Sequence, residues 1–196
     1  FNKSNPINLV ISSLILIFGF LLVQLMVSET FNWNTFWYNI LLLLLTISSM
    51  LLCDFIVKKN KLSDQNSFVI FFFSIFFFYF WSSSNNVNLL FSNFFILLAL
   101  RKIISLRSQI LISKKIFDAS LWLSVATLFY FWSVLFFIVL YLGIAIYAAS
   151  YFKNWLIPLV SVFLVFIMMS AYSLVVNNHF FYFKDVLIST DYAELN

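Results

Sequence analysis

The chain has 196 residues, 64% hydrophobic and 9% charged, with a net charge of +4 from eleven Lys and Arg against seven Asp and Glu. Globular domains run at about 45–50% apolar and about 25% charged, so this composition excludes a soluble fold and predicts an all-α polytopic membrane bundle, one integral domain over residues 1–196. The bases sit in short stretches between apolar runs rather than on one basic face, which argues against nucleic acid as a partner and for membrane lipids.

Pro6 opens an apolar run to Val27, with Ser4 or Asn5 as cap and the proline in the first helical turn, where a missing N–H costs nothing. About twenty residues at 1.5 Å each match a ~30 Å hydrocarbon core. The run is too long for a signal peptide, and no small-residue cleavage site follows it. Ser28 to Asn34 carries one acid, Glu29, and no base, and Trp33, Phe36, Trp37 and Tyr38 form an interfacial belt; this loop faces outward. Thr35 to Val57 is the second span, ending near Asp54 and the cytoplasmic bases Lys58, Lys59 and Lys61.

Ser67–Trp81 and Val87–Leu100 are short for full crossings and read as a helical hairpin with an uncharged outer turn. The stretch Arg101 to Asp118 follows, with Arg101, Lys102, Arg107, Lys114 and Lys115 ahead of its first acid. Five bases beside apolar runs place this segment in the cytoplasm, and parity then places the amino terminus there. The same bases are the candidates for docking a partner or an anionic lipid head group. Ala119 to Ser150 could be one tilted helix, but two shorter ones turning near Tyr130–Ser133 fit the charges better; with two, Lys153 returns to the cytoplasm and the acidic tail ends outside, and with one, both reverse. Trp155–Val176 is the last span, with Pro158 in its first turn. The total is six to seven membrane segments. A chain that starts at Phe1 and stops at Asn196 after a polar stretch is expected to lack a C-terminal part of the natural protein.

Candidate chemistry is sparse. Glu29 could serve as a general base, but it has no second carboxylate beside it. Asp54 and Lys58 form an i, i+4 pair, and Asp118 is expected to cap the next helix. Gln24 and Asn39 lie at matching depth and predict an interhelical hydrogen bond; Asn93 should face protein, and His179 sits at a membrane edge. One cysteine, Cys53, and one histidine exclude an intrachain disulfide and a histidine-rich metal site, so no cofactor is expected. No charge lies mid-span, no glycine or proline breaks a helix there, and no phosphate loop or nucleophile motif occurs.

The stretches KSNPINLVI (Lys3–Ile11) and RKIISLRSQ…KKIFDASLWLSVATLFYFWSVLFFIVLY (Arg101–Tyr141) resemble an uncharacterised family of multi-pass inner-membrane proteins from AT-rich, gliding-type Gram-negative bacteria. The resemblance implies a bacterial inner membrane and assigns no activity. The second stretch is also similar, more loosely, to the membrane module of integral glycosyltransferases that use polyprenyl-phosphate sugars. That likeness would give Glu29 the catalytic role and a polyprenyl-phosphate lipid as ligand, although this outer loop is shorter than theirs and lacks paired acids. The leading expectation is a non-enzymatic inner-membrane subunit of an envelope complex for secretion, motility or translocation, packed against other membrane proteins. The alternative is a divergent glycosyltransferase or polyprenyl-lipid-binding protein.

Overall fold

The computed structural model describes residues 6–27, 33–63, 67–80, 87–149 and 151–178, and these are helical with no strand. The helices are α1 (Pro6–Val27), α2 (Trp33–Asn60), α3 (Phe68–Phe80), α4 (Val87–Ile104), α5 (Ile112–Phe129), α6 (Phe136–Tyr147) and α7 (Phe152–Asn177). Among the described residues, three segments are long and apolar enough to cross a membrane: Phe36–Asn60, Val87–Ser108 and Phe152–Val176. The chain divides into two compact units, Phe1–Leu97 and Leu98–Asn196, the division falling within α4.

In the first unit α1, α2 and α3 pack on one another. Each buries a narrow stripe at helical spacing: Ser12, Leu16 and Gly19 on α1, Leu42, Thr46, Ser49 and Met50 on α2, and Ile70 and Ser74 on α3. Leu16, Met50 and Ile70 form one apolar cluster, flanked by Phe73 and Phe77, whose rings stack 6.0 Å apart. Small hydroxyl residues share these stripes. The Ser74 hydroxyl donates within its own helix to the Ile70 carbonyl at 2.8 Å and lies 3.2 Å from the Ser12 carbonyl of α1. Serine thus takes the place that glycine commonly holds where membrane helices approach closely.

Helix α2 runs three residues past the expected end at Val57. Lys58 and Lys59 lie in its last turn, where cations complement the helix dipole. Lys61 then takes a left-handed conformation (φ 50°) while its N–H bonds the Lys58 carbonyl and that of Leu62 bonds the Val57 carbonyl. This is a Schellman ending with lysine at the position glycine usually occupies.

In the second unit α5 is the central element, in contact with α6, α7 and both short 3-10 turns. It buries a broad arc of its surface, Ile116, Ala119, Ser120, Leu123, Ser124 and Ala126. The Ser161 hydroxyl of α7 bonds the Ser120 hydroxyl across the α5–α7 contact. Ala119 to Ser150 is not one helix. Helix α5 stops at Phe129, Tyr130 is extended (φ −145°, ψ 112°), a 3-10 turn covers Phe131–Leu135, and α6 follows. No glycine or proline marks this break.

Two local expectations are corrected. Asp118 is not a cap: α5 begins at Ile112, so Asp118 lies in its second turn. Pro158 is not in the first turn of α7, because that helix starts at Phe152. Its ring therefore removes an interior hydrogen bond to the Asn154 carbonyl, and Pro158 is buried on the α5 side. In both cases polar residues ahead of an apolar run, ISKK and FKN, extend the helix outward. Lys and Arg are good helix formers and do not end one.

Candidate functional site

The basic stretch Arg101–Asp118 is largely helix: the end of α4, a 3-10 turn at Ser105–Ser108, and the start of α5. Serine makes the first change, since Ser105 and Ser108 bond back to the carbonyls of Lys102 (2.9 Å) and Ser105 (3.1 Å) and compete with α-helical pairing. Only Gln109–Leu111 is non-helical. Gln109 and Leu111 are both left-handed, at φ 56° and 51°, a conformation costly for a branched side chain such as leucine. Ile110 and Leu111 are 65% and 68% exposed at the tip of this turn.

The five bases do not form one surface. Lys102 donates to the Asp118 carboxylate at 2.6 Å, so the acid expected as a cap is an ion-pair partner instead. Lys115 donates to the Ser105 carbonyl at 2.7 Å and to the Ser108 hydroxyl, holding the 3-10 turn against α5. Arg101 is half-buried and engaged. Arg107 and Lys114 are exposed.

A base from elsewhere joins them. Gln109, Leu111, Ile112, Ser113, Lys114, Tyr151, Lys153 and Asn154 line an open cleft of about 570 Å³. Its walls are the turn before α5 and the start of α7, and three amide contacts fix them. Gln109 donates to the Tyr147 carbonyl at 2.7 Å, Asn154 donates to the Ala148 carbonyl at 3.0 Å, and Ser113 donates to the Asn154 side-chain oxygen at 3.2 Å. Two side-chain amides therefore satisfy carbonyls at the C-terminal end of α6, which has no intrahelical donors for its last turn. Asn154 is buried and Gln109 exposed. The cleft also holds Lys114 and Lys153, whose side chains make no hydrogen bond or ion pair among the described residues, beside the uncovered Leu111 and Tyr151.

Of the other candidates, Asp54 and Lys58 pair at 2.7 Å as expected, with the carboxylate buried and the ammonium exposed. Lys59 lies 5.3 Å from the centre of the Phe55 ring, a cation–π contact. Asn39 and Asn93 are half-buried. Glu29 and His179 fall outside the described residues, as does the side chain of Gln24 and with it the Gln24–Asn39 bond. Among the described residues no three His, Cys, Asp or Glu gather as metal ligands.

Sequence reasoning missed Gln109, Ser113, Asn154 and Lys153 as one group, and it missed the Ser120–Ser161 bond. The i, i+4 pair Ser120 and Ser124 was the available signal for a close helix contact. Nothing in the sequence joins Gln109 to Tyr147, 38 residues away. No family model, curated protein or solved structure matches the chain.

Proposed function

We propose that the chain is a non-enzymatic, multi-pass subunit of a larger assembly in a bacterial inner membrane, of the kind that serves secretion, motility or translocation. It contributes six to seven membrane segments, with its amino terminus and basic turn in the cytoplasm.

The observation that carries this reading is α7. Over 26 residues it buries one stripe, Asn154, Pro158, Ser161, Val165 and Ser173, made mostly of small or polar residues. Most of the rest of its circumference is bulky and exposed, including Phe152 at 76%, Phe163 at 64%, Met168 at 65% and Val175 at 83%. A helix that turns serines inward and phenylalanines outward is arranged for lipid chains or neighbouring membrane helices, since exposure of so much contiguous apolar surface to water is unfavourable. Helix α1 repeats the arrangement, with Ser12 buried and Phe18 exposed.

The orientation rests on the cleft. With the chain broken at Tyr130, two helices follow the basic stretch, and Lys153 lines the same cleft as Lys114. Both lysines then count toward one side of the membrane, and the positive-inside bias assigns that side to the cytoplasm.

Purification of the natively expressed protein in mild detergent tests the reading. A stoichiometric membrane-protein companion, with the chain retained in the membrane through alkaline washing, is the expected result. A stable monomer with no companion would remove the subunit role.

A further inference from the structure

We propose that the cleft lined by Lys114, Lys153, Leu111 and Tyr151 is a binding site for the head group of an anionic phospholipid. The inference requires the chain to be membrane-embedded and is independent of whether it has a protein partner.

Charge comes first. Of the cations in the basic stretch, Lys102 is neutralised by Asp118 and Lys115 is spent on the Ser105 carbonyl and Ser108 hydroxyl, so neither has its charge directed to a ligand. Lys114 and Lys153 are exposed and open onto one cleft, whose lining contains no acid among the described residues. Two ammonium groups with no counter-charge are complementary to a phosphate.

The remaining lining selects the source of that phosphate. Leu111 is held left-handed with its side chain 68% exposed, and Tyr151 is 71% exposed, so the same cleft offers apolar surface without a protein cover. A free phosphate ion would gain nothing from these groups. An amphiphile carrying a phosphate above an acyl chain would use both. The site is also held in shape before any ligand arrives, because Gln109, Ser113 and Asn154 bond one another's segments rather than facing the opening alone. A volume of about 570 Å³ lies within the usual range for a small-molecule cleft of roughly 300–1,000 Å³.

The test is lipid titration of the full chain in neutral detergent, read by native mass spectrometry. Phosphatidylglycerol and phosphatidylcholine with identical acyl chains are compared. Wild-type protein should retain one phosphatidylglycerol in preference to phosphatidylcholine. The Lys114→Gln, Lys153→Gln double variant should bind about 30-fold more weakly, from ~1 kcal/mol per lysine at an anionic lipid. The Lys114→Arg, Lys153→Arg pair should retain binding. Equal affinity of wild type and the glutamine variant, or equal binding of the two lipids, overturns the site. Displacement of the lipid by inorganic phosphate at equal concentration overturns the lipid as its source. On wild-type protein alone, phosphatidylglycerol should slow reductive methylation of Lys114 and Lys153 but not of Lys61, and uniform labelling overturns the proposal without any variant.

Discussion

Replacement of Asn154 by alanine isolates the contacts that hold the second unit's polar end together. Asn154 is 3% exposed and Ala148 4%, so the Asn154 amide and the Ala148 carbonyl meet away from water. Truncation removes their 3.0 Å bond and also the acceptor for Ser113. Ser113 is exposed and can turn to solvent, so its share is small. A buried carbonyl left without its donor costs about 1–3 kcal/mol, and the lost side-chain volume adds to that, for a total of about 2–3 kcal/mol. Gln109→Ala is the control. It removes a shorter bond, 2.7 Å to the Tyr147 carbonyl, but Gln109 is exposed and water can replace its amide, so it should cost under about 1 kcal/mol. Both variants can be measured by equilibrium unfolding in mixed micelles of mild detergent and dodecyl sulfate, followed by far-ultraviolet circular dichroism. If the two variants lose the same stability, or Asn154→Ala stays within about 0.5 kcal/mol of wild type, burial does not decide the cost and the reasoning is wrong.

Three further outcomes follow from the same physics. The Ser12 hydroxyl is buried without a hydrogen-bond partner among the described residues, so Ser12→Ala should leave stability unchanged or raise it by up to about 1 kcal/mol, and a loss in the micelle assay would show an unseen partner. A Cβ at Gly143 would stand 2.8 Å from the Ile103 γ2 methyl, so Gly143→Ala should destabilise by a net ~1 kcal/mol, overpacking of about 1–3 kcal/mol exceeding a helix-propensity gain of about 1; a stabilised variant would mean that Ile103 yields freely. A double-mutant cycle of Lys102→Met and Asp118→Asn should give a coupling of about 0.5–1 kcal/mol that shrinks in high salt, because both side chains are partly exposed (33% and 27%), and a salt-independent coupling would contradict that screening.

What could be read in advance separates by range along the chain. Helix positions follow from local composition: Pro6 starts α1, and the apolar run predicts its end at Val27. The break at Tyr130 is one of the two alternatives for Ala119–Ser150, the one that charge balance favours, and it occurs although the aromatic run YFW carries no breaker residue. Polar residues misled where they were read as loop. The sequence KKIFD looks like an interruption, yet lysine favours helix, so Asp118 ended inside α5 with its carboxylate beside Lys102. The site was half legible. The charge of Lys114 marks it within the basic stretch, but its companion Lys153 reads only as a topology marker, and Asn154 carries no signal of its own. Their grouping comes from the return of the chain through α6, a long-range event that periodicity cannot report.

The scarcity of glycine, two residues in the whole chain, is answered by hydroxyls. Ser74 lies 3.2 Å from the Ser12 carbonyl in one unit, and Ser161 bonds Ser120 in the other. A serine is small enough for helices to approach, and its hydroxyl can be satisfied by a carbonyl of its own helix, as Ser74 does with Ile70. Such contacts lie beside the apolar clusters that pack the helices, such as Leu16, Met50 and Ile70, while bulky residues such as Phe18 and Phe163 face outward. The same economy makes the polar end of α6 depend on specific side chains. The last carbonyls of α6 have no donors within their own helix, and Gln109 and Asn154 supply them from segments on either side of the α5–α6 hairpin. The amides that close the end of α6 therefore also draw Lys114 and Lys153 to one cleft, so a single set of hydrogen bonds sets both the path of the chain and the placement of its uncompensated charge.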